Sequence, residues 1–147
     1  MITIRTATPR DLPALRDMIR KLCALHGDPC HLGLAEAQTR FIDGPLTALI
    51  ALQDDQPIGY AVLEPRWRPM TEGDTLDIAH LFIEEPLRGQ GIGRRLIETA
   101  RQIADYRKAD RLTIGTATEN PCAAAAYRAM GLEEITTTPG PRFSVPL

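Results

Sequence analysis

The chain has 147 residues, 44% of them hydrophobic and 24% charged, which is enough for one globular domain with its own core. The formal net charge is −2 and the 17 lysines and arginines are scattered, which argues against a nucleic-acid-binding surface. No apolar run approaches the ~20 residues that cross a membrane, and no secretory signal is recognisable. We therefore expect a single cytoplasmic domain over residues 1–147 that does not enter a membrane.

The first half of the chain predicts a strand, two helices and a hairpin. Thr8 and Pro9 form a typical helix start, and apolar residues then recur every three or four positions until Gly27. Before this helix, residues 1–6 alternate apolar and polar residues, as a half-buried strand does. After the second helix, turn residues separate two apolar runs, which predicts a hairpin. The predicted elements are a strand over 1–6, helices over 8–27 and 34–42, and strands over 46–52 and 58–63.

The second half predicts a long helix between strands. A loop over 64–74 carries two prolines and a glycine, and a helix over 91–108 shows apolar residues along one side. The other predicted elements are strands over 75–83 and 112–116, a helix over 121–130, and terminal strands over 132–137 and 143–145. This order of elements predicts a mixed α/β domain.

A glycine-rich loop between the 75–83 strand and the long helix is suited to binding an anion. Such a turn leaves backbone N–H groups unpaired at the positive end of the helix dipole, which suits phosphate or pyrophosphate. The glycines are Gly89, Gly91 and Gly93, and the arginines that can add positive charge are Arg88, Arg94 and Arg95. The spacing fits neither a Rossmann fingerprint nor a Walker loop, and glycines that only form a tight turn are the alternative.

Two motifs carry a family resemblance. The segment RGQGIG, residues 88–93, is similar to the R/Q-x-x-G-x-G/A loop of the GNAT N-acetyltransferase superfamily. Residues 120–132 resemble the N-x-x-A-x-x-x-Y-x-x-x-G-F segment of that family, with Leu132 in place of phenylalanine. The resemblance implies a bent mixed sheet of about seven strands with about four helices on both faces. It also implies that the fourth and fifth strands splay apart around acetyl-CoA.

The resemblance also assigns residues to the co-substrate. The main chain of the fourth strand would pair with the pantetheine arm and polarise the acetyl carbonyl, at Leu81, Phe82 and Ile83. The pyrophosphate would be held by the glycine loop, at Arg88, Gly89, Gln90, Gly91, Ile92, Gly93 and Arg94. Asn120 would contact the co-substrate as well, or serve only as the cap of the helix that begins at Pro121.

By the same resemblance Tyr127 is the general acid that protonates the departing thiolate, a role that suits a phenol with a pKa near 10. For the base that deprotonates the acceptor we favour Asp77, directly or through water. Strand alternation places Asp77, Ala79, Leu81 and Ile83 on one face and His80 on the other. His80 is the alternative base if a bulge turns it inward, and both residues also have purely structural interpretations.

The expected reaction is direct transfer of acetyl to a primary amine in a ternary complex. The strand reads I-A-H-L-F-I where a diamine acetyltransferase-like branch usually reads L-E-D-(L/F)-(Y/F)-V, so Ala79 replaces a glutamate. This substitution leaves a non-catalytic acyl-CoA-binding or sensory module as an alternative, and a protein or peptide N-acetyltransferase is another. By position, His26 and Asp28 are candidates for the acceptor pocket.

Two further expectations concern metals and assembly. Cys23, His26, Cys30 and His31 lie close together in sequence, but their spacing matches no paired zinc signature, so we predict no metal. Cys122 has no histidine or acid spaced to activate it as a nucleophile. A homodimer is expected by analogy with the family.

Overall fold

The computed structural model describes residues 1–69, 73–116, 121–135 and 141–147. The chain forms two compact units, Met1–Gly115 and Thr116–Leu147. The first unit contains the strands β1 (Ile2–Thr6), β2 (Thr47–Gln53), β3 (Gln56–Arg66), β4 (Thr75–Ile83) and β5 (Arg111–Ile114) and the helices α1 (Leu12–Leu25), α2 (Leu34–Ala37) and α3 (Ile92–Tyr106). The second unit contains the helix α4 (Pro121–Ala129).

The sheet of the first unit has the order β1-β2-β3-β4-β5. Neighbouring strands from β1 to β4 are antiparallel, whereas β5 runs parallel to β4 because α3 carries the chain back across the sheet. This mixed sheet confirms the predicted fold class. No helix in the described part of the chain has the length and apolar character needed to span a bilayer.

Each face of the sheet has its own apolar core. The face covered by α1 and α2 buries Leu15 and Met18 of α1 against Tyr60 and Phe82. The opposite face is covered by α3, where buried residues recur every four positions as one helical stripe: Ile92, Leu96, Ala100 and Ala104. Helices α1 and α2 on one face and α3 on the other therefore hold the sheet from opposite sides and fix the strand ends between which the candidate site lies.

The described residues contain five strands, whereas about seven were expected. The segments 132–135 and 141–147 form no strand, and residues 136–137 of the first predicted terminal strand lie outside the described residues. Proline at 141 and 146 brackets the second segment, and because proline lacks an N–H group it cannot donate to a strand ladder. The expected helix over 34–42 is also shorter, since α2 ends at Ala37 and a π-helical turn follows over Gln38–Ile42.

Asp11 ties β1 to the start of α1, and we expect this link to make stability depend on acid pH. Its buried carboxylate accepts hydrogen bonds from Arg5 Nη1 at 2.6 Å and from the Thr8 backbone N–H at 2.7 Å. The Arg5 hydrogen bond is the main reason that the pKa of Asp11 falls to about 2. Because the folded-state pKa lies below the unfolded value of about 3.9, this stabilisation is full above about pH 4 and is lost as the pH falls toward 2.

Asp11→Asn should therefore lower the free energy of unfolding by ~2 kcal/mol at pH 7, with a smaller penalty near pH 2. Urea unfolding of the parent protein and the variant at pH 7 and near pH 2 measures the loss of stability at each pH. Asp17→Asn, on the exposed side of α1, serves as the control and should change stability little. Equal losses in the two variants would contradict the assignment.

Candidate active site

The sheet opens between β4 and β5. The parallel pairing runs only from Thr75 opposite Arg111 to Ile78 opposite Ile114, whereas β4 continues to Ile83. On its other side β4 stays paired with β3 as far as Ile83. In the described part of the chain, residues 79–83 therefore have no β5 partner. One backbone edge is left open, as the resemblance to the acetyltransferases implies.

A bulge in β4 changes which side chains share a face. His80 lies opposite Val62 and Ile78 lies opposite Leu63, so Ala79 is an extra residue without its own partner on β3. As a result the apolar side chains of β4 before and after the bulge pack on the α3 side: Leu76, Ile78, Leu81 and Ile83. Asp77, His80 and Phe82 lie on the α1 side. The predicted shared face of Asp77, Leu81 and Ile83 is therefore wrong, because it assumed unbroken alternation.

Asp77 is held by partners on both sides. Its carboxylate accepts a hydrogen bond from the Thr113 hydroxyl of β5 at 2.5 Å, and the Arg66 guanidinium of β3 lies 3.2 Å from its second oxygen. The side chain is buried where the three strands are still paired. The carboxylate thus joins β3 to β5, and this position favours a structural ion pair over a group that exchanges protons with a substrate.

His80 has a different environment on the same face. Its Nδ1 lies 3.3 Å from the hydroxyl oxygen of Tyr60, and the two rings meet edge to face with centroids 6.1 Å apart. Burial is the main cause that lowers the pKa of His80; the nearby His26 lowers it further and Glu64 opposes the shift. The imidazole is therefore neutral at pH 7. Its Nε2 has no hydrogen-bond partner among the described residues, so it is chemically available.

The glycine loop begins α3 in the conformation expected of an anion site. Gly89 and Gly91 have φ angles of 79° and 84°, in the left-handed region that favours glycine. Gly91 is the N-cap, and no side chain caps the helix, so the N–H groups of its first turn are open. A Cβ atom at Gly93 would meet only the Leu81 side chain, at 4.0 Å. The protein therefore needs glycine at 89 and 91 for backbone reasons and leaves space at 93.

The three arginines of the loop have different positions. Arg88 Nε donates to the Ile83 carbonyl at 2.9 Å, and its guanidinium lies 5.7 Å from the centroid of the Phe82 ring. Arg95 donates to the Ile2 carbonyl at 2.9 Å and so fastens α3 to β1. Arg94 is exposed and has no hydrogen-bond or ion-pair partner among the described residues. Arg88 thus joins the loop to the end of β4, whereas Arg94 has its charge available for a ligand.

The second unit contains Tyr127 on α4. The helix closes with a hydrogen bond from the Leu132 N–H to the Tyr127 carbonyl at 3.1 Å, and Gly131 adopts a φ of 85° at this end. Partial burial raises the pKa of Tyr127, which keeps the phenol protonated at neutral pH. Asn120, the first residue of the second motif, lies outside the described residues.

The candidate acceptor residues lie where α1 ends. His26 and Asp28 are exposed, and the Asp28 N–H donates to the Cys23 carbonyl, which turns the chain back toward the helix. His26 also contributes to the lowered pKa of His80. Within the described ranges, no three His, Cys, Asp or Glu side chains are grouped so as to hold a metal ion.

Sequence reasoning missed three residues of this arrangement: Tyr60, Arg66 and Thr113. Each lies on a strand next to β4 and contacts His80 or Asp77. Tyr60 has no signal in the sequence beyond being an aromatic residue in an apolar strand. These contacts follow from strand register, which the local pattern does not determine.

Comparison with known proteins agrees with this geometry. The sequence model of the acetyltransferase (GNAT) family matches residues 14–132. The chain is similar to the uncharacterized N-acetyltransferase YhfO of Bacillus subtilis strain 168, with 27% identity over 137 residues that cover 92% of each chain.

Two solved structures show the same fold. The aminoglycoside N-acetyltransferase AAC(6′)-Iy in complex with CoA aligns with a TM-score of 0.84 at 20% identity, covering 99% of this chain and 96% of the other. The ribosomal-protein-alanine N-acetyltransferase of Brucella melitensis biovar Abortus 2308 aligns with a TM-score of 0.82 at 18% identity, covering 97% and 100%. The fold, the glycine loop and the family match over residues 14–132 lead to one conclusion: the chain belongs to the acetyltransferase (GNAT) family.

Proposed function

We propose that the protein transfers acetyl from acetyl-CoA to a primary amine by direct attack in a ternary complex. The observation that carries the proposal is the open edge of β4 beside the uncapped N-terminus of α3, both in the first unit. An extended pantetheine arm can add to the strand edge while the N–H groups of the helix bind the pyrophosphate. The structural neighbour AAC(6′)-Iy, which binds CoA, supports the choice of donor.

The donor would be bound mainly through the backbone. The backbone groups of Leu81 and Ile83 face the edge that has no β5 partner among the described residues, and the Ile83 carbonyl there already accepts from Arg88, whereas the backbone of Phe82 faces β3. The pyrophosphate would contact the amides of the glycine loop, and Arg94 would add positive charge; from the sequence motif alone, Asn120 stays a further predicted contact of the co-substrate. The positions of these N–H groups are set by the glycine φ angles and the start of the helix.

The transfer needs two proton movements. The amine nitrogen forms a bond to the acetyl carbon, the bond from that carbon to sulfur breaks, and Tyr127 gives its proton to the departing thiolate. We assign the removal of the acceptor proton to Nε2 of His80 rather than to Asp77. His80 is neutral at pH 7, whereas Asp77 is bound by Arg66 and Thr113.

The acceptor is proposed to be a small primary amine that binds near the end of α1. His26 and Asp28 are exposed there, and His26 contributes to the lowered pKa of His80. The related fold of a ribosomal-protein-alanine N-acetyltransferase makes a peptide N-terminus the second candidate acceptor. The diamine branch, the single domain, the homodimer and the cytoplasmic location stay predictions.

Release of free coenzyme A thiol, measured over a panel of monoamines, diamines, aminoglycosides and N-terminal peptides, tests the proposal. We expect acetyl-CoA-dependent thiol release with at least one small amine, and a stoichiometric N-acetylated product by mass spectrometry. Tight acetyl-CoA binding without turnover on any acceptor would instead support a non-catalytic acyl-CoA-binding module. Consumption of peptides alone would support the protein N-acetyltransferase.

Gly91→Ala is expected to weaken CoA binding about tenfold or more, because an alanine at a φ of 84° costs ~1–2 kcal/mol and displaces the first N–H groups of α3. Isothermal titration with CoA measures the effect. Gly93→Ala is the matched control, since its Cβ has space beside Leu81, and both stability and affinity should stay within about twofold of the parent. Equal affinities of the two variants would contradict a backbone site at Gly91.

A further inference from the structure

Tyr60 places a hydroxyl group inside the apolar core behind His80. The tyrosine side chain is fully buried, and its ring packs on Phe82 with centroids 6.0 Å apart. Within the described residues its hydroxyl has one hydrogen-bond partner, Nδ1 of His80 at 3.3 Å. A phenylalanine would fill the same apolar volume, so packing alone does not explain the hydroxyl group.

The protonation of this pair follows from burial. Burial, with a smaller effect of the Cys23 and Cys30 thiols, raises the pKa of Tyr60 well above its ordinary value, so the phenol keeps its proton. A buried O–H group without an acceptor loses its hydration with no compensation. The Tyr60 hydroxyl therefore donates to Nδ1, and the single proton of the neutral His80 ring is then on Nε2.

We propose that Tyr60 is the positioning residue of His80: its hydroxyl holds the neutral imidazole in the Nε2–H tautomer. Nε2 becomes a base only after the ring loses the Nε2 proton to solvent and gains one at Nδ1, so that Nδ1–H then donates to the Tyr60 oxygen and the phenol keeps its own proton. The functional part of this inference rests on the proposed role of His80 as the base. In this arrangement Tyr60 sets the fraction of His80 that is ready to accept a proton from the amine.

Other charged and titratable groups act on the same ring and must be separated from Tyr60. His26, just past the end of α1, and Glu64, on β3, both affect the pKa of His80. Asp77 precedes His80 on the same face of β4 and is paired with Arg66. Only Tyr60 contacts a ring nitrogen among the described residues, so only its removal should change the tautomer as well as the pKa.

Nitrogen-15 NMR of the histidine rings in the full chain tests the proposal directly. The chain has three histidines, and His80→Asn identifies the signals of this ring. Above the pKa of His80, the parent protein should show a protonated Nε2 and an unprotonated Nδ1. Tyr60→Phe, which removes only the hydroxyl, should give averaged shifts of the two tautomers. Tyr106→Phe, at an exposed tyrosine of α3, should leave the shifts unchanged.

Turnover provides the second measurement. As His80 loses its proton, kcat/KM should rise with pH, and we call this rise the acid limb. Tyr60→Phe should keep the acid limb and raise the plateau of kcat/KM above it a few-fold, because more of the neutral ring carries a free Nε2. A proton on Nδ1 in the parent protein, or an unchanged spectrum in Tyr60→Phe, would overturn the proposal. If His80→Ala keeps the acid limb, the base assignment is wrong, whereas the NMR result decides the role of Tyr60 independently.

Discussion

Replacing His80 by alanine is expected to lower kcat/KM for a good amine substrate by about 10²–10⁴-fold at pH 8, the usual contribution of a general base. In the parent protein kcat/KM should rise with pH as the imidazole loses its proton. Since burial lowers the pKa of His80 below its ordinary value of 6.5, the midpoint of this rise should lie below pH 6.5. The pH profile of kcat/KM, measured from pH 5 to 9, should lose this limb in His80→Ala.

Asp77→Asn is the contrasting variant. Because the carboxylate accepts from Thr113 in a buried position and is paired with the half-exposed Arg66, its loss should destabilise the fold by ~1–2 kcal/mol. The folded fraction should nevertheless keep the acid limb of the parent protein. Loss of the limb in Asp77→Asn together with its retention in His80→Ala would return the base role to Asp77.

Tyr127→Phe is expected to lower kcat by about 10²-fold or more while the affinity for acetyl-CoA stays unchanged, because only the proton donor to the thiolate is removed. The active form of a general acid is the protonated one, so activity should fall as the pH rises through its pKa. Partial burial raises the pKa of Tyr127 above 10, which places this fall above pH 10. Steady-state turnover with titration of acetyl-CoA separates the two parameters.

The control for Tyr127→Phe is Tyr106→Phe, which removes a hydroxyl group from an exposed position on α3. It should leave kcat and the affinity for acetyl-CoA at the parent values. A substrate whose leaving group is a more acidic thiol should rescue Tyr127→Phe, because a less basic sulfur departs without a proton donor. Full turnover of Tyr127→Phe with acetyl-CoA itself would exclude the phenol as the acid.

The local sequence was sufficient to predict most of the elements of the first unit. The start of α1 was recognisable from Thr8 and Pro9, and the apolar spacing of four residues gave α3 within two residues of its bounds. The glycine loop was predicted for the same reason, since a left-handed φ before a helix is a local requirement that glycine meets. Helix periodicity, capping and glycine conformation depend on neighbours only a few residues apart.

The arrangement around His80 was decided by contacts between distant residues. The bulge at Ala79 depends on how β4 aligns with β3, the Tyr60–His80 contact joins residues 20 apart, and the Asp77–Thr113 bond joins residues 36 apart. One extra residue in a strand moves every later side chain to the other face, so a local pattern cannot assign these faces. The sequence by itself therefore determined most elements of the first unit, the conformation of the glycine loop and the family. Only the tertiary structure decided that Asp77 is ion-paired and that His80 faces Tyr60, because both depend on strand register.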